Sequence, residues 1–364
     1  MELGGAELQL AMLANAMASR GHAVTVLTFY PGQENSRLQF NEGVVHRVLG
    51  KAGRWDIVAF LSRLRRAFAD ASPDVIHSFL GPPNVAAALA RRKGSGGRLI
   101  WGIRASNMDA GRYDWAHVVA LRLERMLATR ADLIVANSTA GKEHAIRQGM
   151  RAGKVTVVGN GIDVVRFCRR RDEARKLRTS WLGPFKGPLI GLVARLDPMK
   201  DHPTFLHAAM ALVERMPEAV FVCLGGGSQA YGAAMRRLAV DLGLQDRIRW
   251  SEPVDNVEVA MNAFDLVTLT SSYGEGFPNV LAEAIACEVP VVATDVGDAR
   301  RIVSDDNRIV RPGEPDALAA AWYQSLQQTP ELLAQTTARH RKRIVRDFSH
   351  ASLLERMEKI YAEL

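Results

Sequence analysis

Charged side chains gather at two places where an apolar run gives way to a loop and then to a helical pattern. The first is Ser271-Ser272-Tyr273-Gly274-Glu275-Gly276-Phe277-Pro278-Asn279-Val280-Leu281-Ala282-Glu283, directly after the run Leu266 to Thr270. Pro278 is expected in the first helical turn, where its missing N–H is no loss. Gly276 and Phe277 lead the chain to that start and, with Pro278, are expected to line the binding site themselves. The backbone N–H groups of Asn279 and Val280, with the helix dipole behind them, then face whatever lies beyond the strand, and phosphate suits that position. Glu275 in the loop and Glu283 two helical turns later add two carboxylates, one able to reach a sugar hydroxyl and the other to accept from a ribose.

The second place is Gly191-Leu192-Val193-Ala194-Arg195-Leu196-Asp197-Pro198-Met199-Lys200-Asp201-His202. Arg195 and Lys200 leave the carboxyl end of a strand, where open α/β sheets bind ligands. A diphosphate leaving group needs its developing charge neutralised, and Arg and Lys with helix N-termini can do so without a metal. The chain has no Asp-x-Asp pair to hold a divalent ion. No metal and no cofactor are therefore expected. A lone glycine loop or a lone basic loop is usually just a helix start with solvated charges, and it is the convergence of both that favours a site. Gly4-Gly5 is a third, weaker feature: a glycine turn lets backbone approach phosphate, yet a pair near an N-terminus is more often only a turn.

These loops need a scaffold. Short runs rich in Val, Ile and Leu alternate with longer amphipathic stretches, the pattern of parallel strands with crossover helices. Strands are expected over residues 23–28, 44–49, 74–78, 98–103, 133–137 and 155–158, then 188–194, 219–224, 247–251, 266–270, 289–294 and 308–310. Two doubly wound α/β domains follow: an N-terminal one over 1–165, a linker over 166–187, a C-terminal one over 188–345, and a last helix over 346–364 that packs back on the N-terminal domain. The stretch from Asp163 to Gly187 is charged, weakly periodic and rich in Gly and Pro at its end, which suits a connector. A βαβ unit should open on a strand, but only Met1 to Leu3 precede the first glycines, so the first strand of the N-terminal sheet is expected to be missing.

Length and composition agree with this plan. A chain of 364 residues exceeds what a single core usually supports. No run approaches the roughly 20 apolar residues of a membrane span, and the start lacks the pattern of a secretory signal, so a cytoplasmic protein is expected. Cys168, Cys223 and Cys287 form no CxxC pair, which argues against a disulfide framework or a zinc site. The net charge of +8 is uneven: residues 1–180 carry 28 Lys and Arg against 15 Asp and Glu, and the remainder 19 against 24. An N-terminal half at +13 suggests an anionic partner, either a membrane surface or an acidic substrate. Its basic residues do not alternate with exposed aromatics as in nucleic-acid modules, so nucleic acid is not expected.

Taken together, Gly4-Gly5-Ala6-Glu7, Arg20 to Val26, Ala136-Asn137-Ser138, Asn160-Gly161-Ile162-Asp163, Glu275 through Glu283 and Pro290 to Thr294 resemble the retaining family 4 glycosyltransferases of the GT-B fold, and the resemblance covers nearly the whole chain. It implies two Rossmann-like domains facing across a cleft and transfer of a hexose or N-acetylhexosamine from a nucleotide diphosphate sugar to a glycan or lipid-linked acceptor, with retention of configuration. The family's Glu-x7-Glu motif falls on Glu275 and Glu283, its diphosphate-binding Arg and Lys on Arg195 and Lys200, and its donor-contacting glycines on Gly4 and Gly5. The variant Glu-Gly-Phe-Pro-Asn-Val resembles members that build O-antigen, capsule or other cell-surface polysaccharide such as lipopolysaccharide. Two residues depart from the pattern. Arg104 stands where many members have a His; Arg cannot be a neutral base, so pairing with a phosphate or an acceptor carboxylate is the role left to it in catalysis. Glu288 replaces a Gly at a helix end.

His77 and Arg104 are acceptor-side candidates, although a strand-end His is as often structural. Residues 54–71 read as a basic amphipathic helix with Ile57, Phe60, Leu61, Leu64 and Phe68 on one face. Such helices bind anionic membranes, which would place the protein on the inner face of the membrane, but most such faces simply pack on a sheet. Two other readings stay open: an epimerase or phosphorylase on the same fold, and a catalytically silent nucleotide-sugar-binding protein. Specificity is expected from the loops around Gly225 to Ser228 and Ser251 to Val254.

Overall fold

Buried parallel strands must be apolar on both faces, and the runs read as strands form them. The structure, a computed structural model, describes residues 5–31, 39–53, 55–92, 97–104 and 123–364. It divides into two units. One holds the described residues up to Arg104, those from 123 to 161, and His350–Leu364; the other is Ile162–Ser349.

In the first unit the strands are β1 (Val24–Thr28), β2 (Val44–Val48), β3 (Val75–Phe79), β4 (Arg98–Ile103), β5 (Leu133–Ala136) and β6 (Val155–Val157). All pair in parallel, but as two sheets, β1-β2 and β3-β4-β5-β6. Among the described residues no strand precedes the first helix, α1 (Gly5–Ser19). Leu13 and Met17 of α1 share one core with Phe79, Ile100 and Val135 and with Leu353, Leu354 and Met357 of the C-terminal helix His350–Glu363. The helix α2 (Val58–Ala71) buries Phe60, Leu64 and Ala67 beside Ala86 and Ala90 of α3 (Gly81–Ala90). Its apolar face is thus used inside the unit. Ile57, expected on that face, is 52% exposed just before the helix starts.

In the second unit the strands β7 (Leu189–Val193), β8 (Val220–Leu224), β9 (Ile248–Ser251), β10 (Leu266–Leu269), β11 (Val291–Thr294) and β12 (Ile309–Val310) form one parallel sheet ordered β12-β11-β10-β7-β8-β9. Helices cover both faces. On one side Phe205 and Leu206 of the helix His202–Val213 pack with Phe221 and with Trp322 of the helix Pro315–Leu326. On the other, Ala260, Leu281, Ile344 and Phe348 close over Val222 and Val267. One buried polar pair is fully used: Thr268 donates to the Val292 carbonyl at 2.9 Å and accepts from the Trp322 indole at 3.2 Å. Burying each of these large side chains stabilises by roughly 1.5–3 kcal/mol.

Two expectations need correction here. The stretch read as a linker contains the helix Arg171–Leu182, which packs into the second unit. Ala174 and Trp181 are buried, and Trp181 stacks on Phe264 with centroids 5.2 Å apart, so a sparse apolar stripe sufficed under heavy surface charge. The helix Pro330–Phe348 also runs through 346, and the change of unit comes at Ser349–His350. Glu288, in place of glycine, takes φ +59°, yet the helix end forms with Val289 N–H bonded to Ala284 O at 3.0 Å.

Candidate active site

The strand order reverses between β7 and β10, and an open α/β sheet leaves a crevice beyond the carboxyl ends at such a point. The loops after β7 and β10 are the two that carry the charged residues. They are laced together. Lys200 Nζ lies 2.5 Å from Glu275 Oε1, which also accepts from the Ser271 hydroxyl at 2.7 Å. Thr270 donates to the Lys200 carbonyl at 2.6 Å, and Ser272 N–H to the Met199 carbonyl at 3.0 Å. Glu275 is only 8% exposed, so the ion pair is screened little by solvent. Lysine has three N–H donors. One is spent on Glu275.

Glycine is required at two positions in these loops. Gly297 has φ +56°, and a Cβ there would sit 2.4 Å from the Gly276 carbonyl oxygen and 2.6 Å from that of Glu275. The close approach lets Asp298 N–H bond the Gly276 carbonyl at 2.8 Å, tying the loop after β10 to the turn after β11. Gly274, at φ +78°, would place a Cβ 2.5 Å from Met199 Sδ. The carbonyls of residues 275 and 276 are thereby fixed, and Phe277 is buried.

The helix that follows is Asn279–Ala286. Pro278 is the residue before it, with φ −72° and ψ 95°, and not part of its first turn as expected. Asn279 and Val280 are its first two residues, and Pro278 at the N-cap position has no side-chain acceptor to offer them. Glu283 consequently stands one turn into the helix, not two. Burial raises its carboxyl to about 7, with Arg166 opposing the shift. Arg195 follows β7 on the exposed side; the backbone beside it is pinned by Leu196 N–H to Gly226 O at 2.7 Å and Ser228 N–H to Leu196 O at 3.1 Å. The loop Gly225 to Ser228 therefore borders Arg195. Among the described residues no group of three or more His, Cys, Asp or Glu could hold a metal.

Of the N-terminal candidates, Gly4 lies outside the described residues, and Gly5 is the first residue of α1. Arg104 follows β4. Its guanidinium lies over the Phe79 ring at 4.4 Å and donates to Asn160 Oδ1 at 2.9 Å, while its carbonyl accepts from Asn137 at 3.4 Å. Burial lowers it to about 10, so it stays cationic at neutral pH. His77 shares a 2.8 Å hydrogen bond with Tyr361 of the C-terminal helix, and burial depresses it to about 3. It is a neutral internal residue. Sequence reasoning missed Thr270, Ser271 and Thr294, whose hydroxyl donates to the Ser271 carbonyl at 2.7 Å. Hydroxyl residues at the ends of adjacent strands were the available signal.

Comparison with known proteins bears on the family and the fold. Residues 3–166 match the family model Glycosyltransferase Family 4, and residues 187–328 match Glycosyl transferases group 1. The chain is 34% identical over 192 residues to a D-inositol 3-phosphate glycosyltransferase 2 of Catenulispora acidiphila, a stretch covering 50% of this chain and 44% of that protein. It is 28% identical to the D-inositol 3-phosphate glycosyltransferase of Thermomonospora curvata, over 97% of this chain and 90% of the relative. Among solved structures, Anabaena Alr3699/HepE in complex with UDP and glucose superposes with a TM-score of 0.86 at 24% identity, covering 99% of this chain and 96% of that one. Sucrose-phosphate synthase from Thermosynechococcus elongatus gives 0.84 at 21%, covering 99% and 93%. These likenesses show the two-domain fold.

Proposed function

Because the chain is a glycosyltransferase built from a Family 4 domain followed by a group 1 domain, we propose that it transfers a sugar from a nucleotide diphosphate sugar bound at the β7 and β10 loops. The observation that carries this is the Lys200–Glu275 pair at the switch point of the sheet. Among the described residues two N–H donors of Lys200 remain for phosphate oxygens, and Arg195, exposed, stands in the same loop after β7. Together they neutralise the leaving diphosphate, with Val280 N–H and the dipole of the helix Asn279–Ala286 adding to the field. Glu283 accepts from the ribose, and Glu275 orients both Lys200 and the donor sugar. In this reading the reaction retains configuration and uses no metal. HepE, solved with UDP and with UDP-glucose, supports a uridine donor.

For the acceptor we propose a glycan or a lipid-linked glycan, as in cell-surface polysaccharide synthesis. Its fold-level support is the likeness to the lipopolysaccharide outer core galactosyltransferase WaaB, TM-score 0.69. A phosphorylated cyclitol is the second reading, favoured by the printed activity of the curated relatives. No helix among the described residues is long and apolar enough to cross a membrane. Contact with an anionic bilayer surface would run through the basic N-terminal half, with Trp55, Ile57 and Val58, 82%, 52% and 83% exposed, as its apolar tip. Donor hydrolysis and transfer with panels of nucleotide sugars and of both acceptor classes test the proposal; binding without turnover on every acceptor would leave only a nucleotide-sugar-binding protein.

A further inference from the structure

A second basic site lies away from the donor loops. The short helix Ala299–Val303 begins beside Asp298, whose N–H bonds the donor loop, and ends at Ser304. At that far end is a cavity of about 560 Å³ lined by Ser304, Arg339, His340, Lys342, Arg343 and Arg346. Four of the six are permanent cations. They sit three and four residues apart on the helix Pro330–Phe348, where like charges repel.

Part of this charge has an internal use. Arg346 pairs with Asp347 at 2.7 Å, and Arg343 donates to the carbonyls of Arg301 and Ile302 at the end of the short helix. Each helix C-terminus carries about −0.5 of a charge. Subtracting Asp347 and the two helix ends leaves roughly two positive charges unbalanced. Arg339 and Lys342 are exposed and have no carboxylate partner among the described residues. Arg343 Nε is buried without a hydrogen-bond partner, and His340, 8% exposed, forms part of the wall. The Arg343 guanidinium also lies over the Phe348 ring, 5.9 Å from its centroid, which holds it in the wall.

We propose that this cavity binds a phosphate monoester group, presented by a free phosphorylated metabolite or by a lipid headgroup, independently of the donor site. A dianion matches the residual charge, and Arg339, Lys342 and the Ser304 hydroxyl supply donors on its open side.

The test is titration of the whole chain with inorganic phosphate in the Lys200→Ala variant, which weakens phosphate binding at the donor loops. Phosphate should still bind there, and adding Arg339→Ala and Lys342→Ala should weaken it by about tenfold or more. Both side chains are exposed, so circular dichroism should be unchanged; the charge-keeping pair Arg339→Lys and Lys342→Arg should retain binding. Cosedimentation with phosphatidic acid vesicles, against phosphatidylcholine alone, assigns the source. Loss of vesicle binding in the double alanine variant points to a lipid, and phosphate binding without vesicle binding points to a soluble ligand. Equal phosphate affinity with and without the two alanines overturns the proposal, as does absence of both phosphate and vesicle binding in the unaltered site.

Discussion

Lys200 Nζ and Glu275 Oε1, 2.5 Å apart, join the loop after β7 to the loop after β10 across the point where the strand order reverses. Both side chains are largely buried, so removing either leaves the other charge poorly compensated. Lys200→Met and Glu275→Gln should each destabilise the C-terminal unit. A double-mutant cycle in denaturant should return a coupling of about 1–3 kcal/mol. Additive effects would mean that the pair is incidental.

Glu283 makes donor binding depend on pH. Its carboxyl is raised to about 7 from 4.5 by burial, and the ionised form accepts from a ribose hydroxyl about twice as strongly as the protonated one. Donor affinity should therefore fall as pH drops from 8 to 6, and Glu283→Gln should flatten that step. Stability has the opposite slope. Between pH 4.5 and 7 the folded state holds a proton that the unfolded state has lost, so this group's stabilising contribution declines as pH rises through that window. Binding titrations and thermal melts across the range check both signs.

The two loop glycines should not be equivalent. Gly297→Ala drives a Cβ into two fixed carbonyls, whereas Gly274→Ala meets the movable end of Met199. Both pay the penalty of positive φ, roughly 1–2 kcal/mol. Gly297→Ala should cost more stability and at least about tenfold in donor affinity, or 1.4 kcal/mol. The reverse order in melts and titrations would count against the loop geometry.

Trp55, just before α2, and Val58 at its start are exposed while the apolar face of the helix is packed inside. Replacing both with Ser should leave the melting temperature within a degree or so, because surface changes are usually within about 0.5 kcal/mol. The same change should reduce cosedimentation with anionic vesicles severalfold. Unchanged vesicle binding would remove this tip from the membrane contact.

Much of this was legible in the residues. Every strand run from Ala23 to Val310 became a strand, since buried parallel strands leave continuous apolar runs, and the positions of Lys200 and Glu275 followed from strand ends. What the residues hid was longer in range. Trp181 and Ala174 are a thin stripe in a helix dominated by Arg, Lys, Asp and Glu, and only Phe264, more than eighty residues on, reveals that they pack. His77 looked like a cleft residue because its partner Tyr361 comes from the far end of the chain. The division of the first unit into β1-β2 and β3 to β6 is a pairing fact that no periodicity carries.

The central claim is that the β7 and β10 loops hold the donor diphosphate. Calorimetric titration of UDP into the intact chain and into Lys200→Ala tests it most directly. The account predicts measurable UDP binding that weakens by about tenfold or more in the variant, because a charge-assisted contact to phosphate is worth about 1.5–3 kcal/mol. Equal affinity in the two proteins would contradict it.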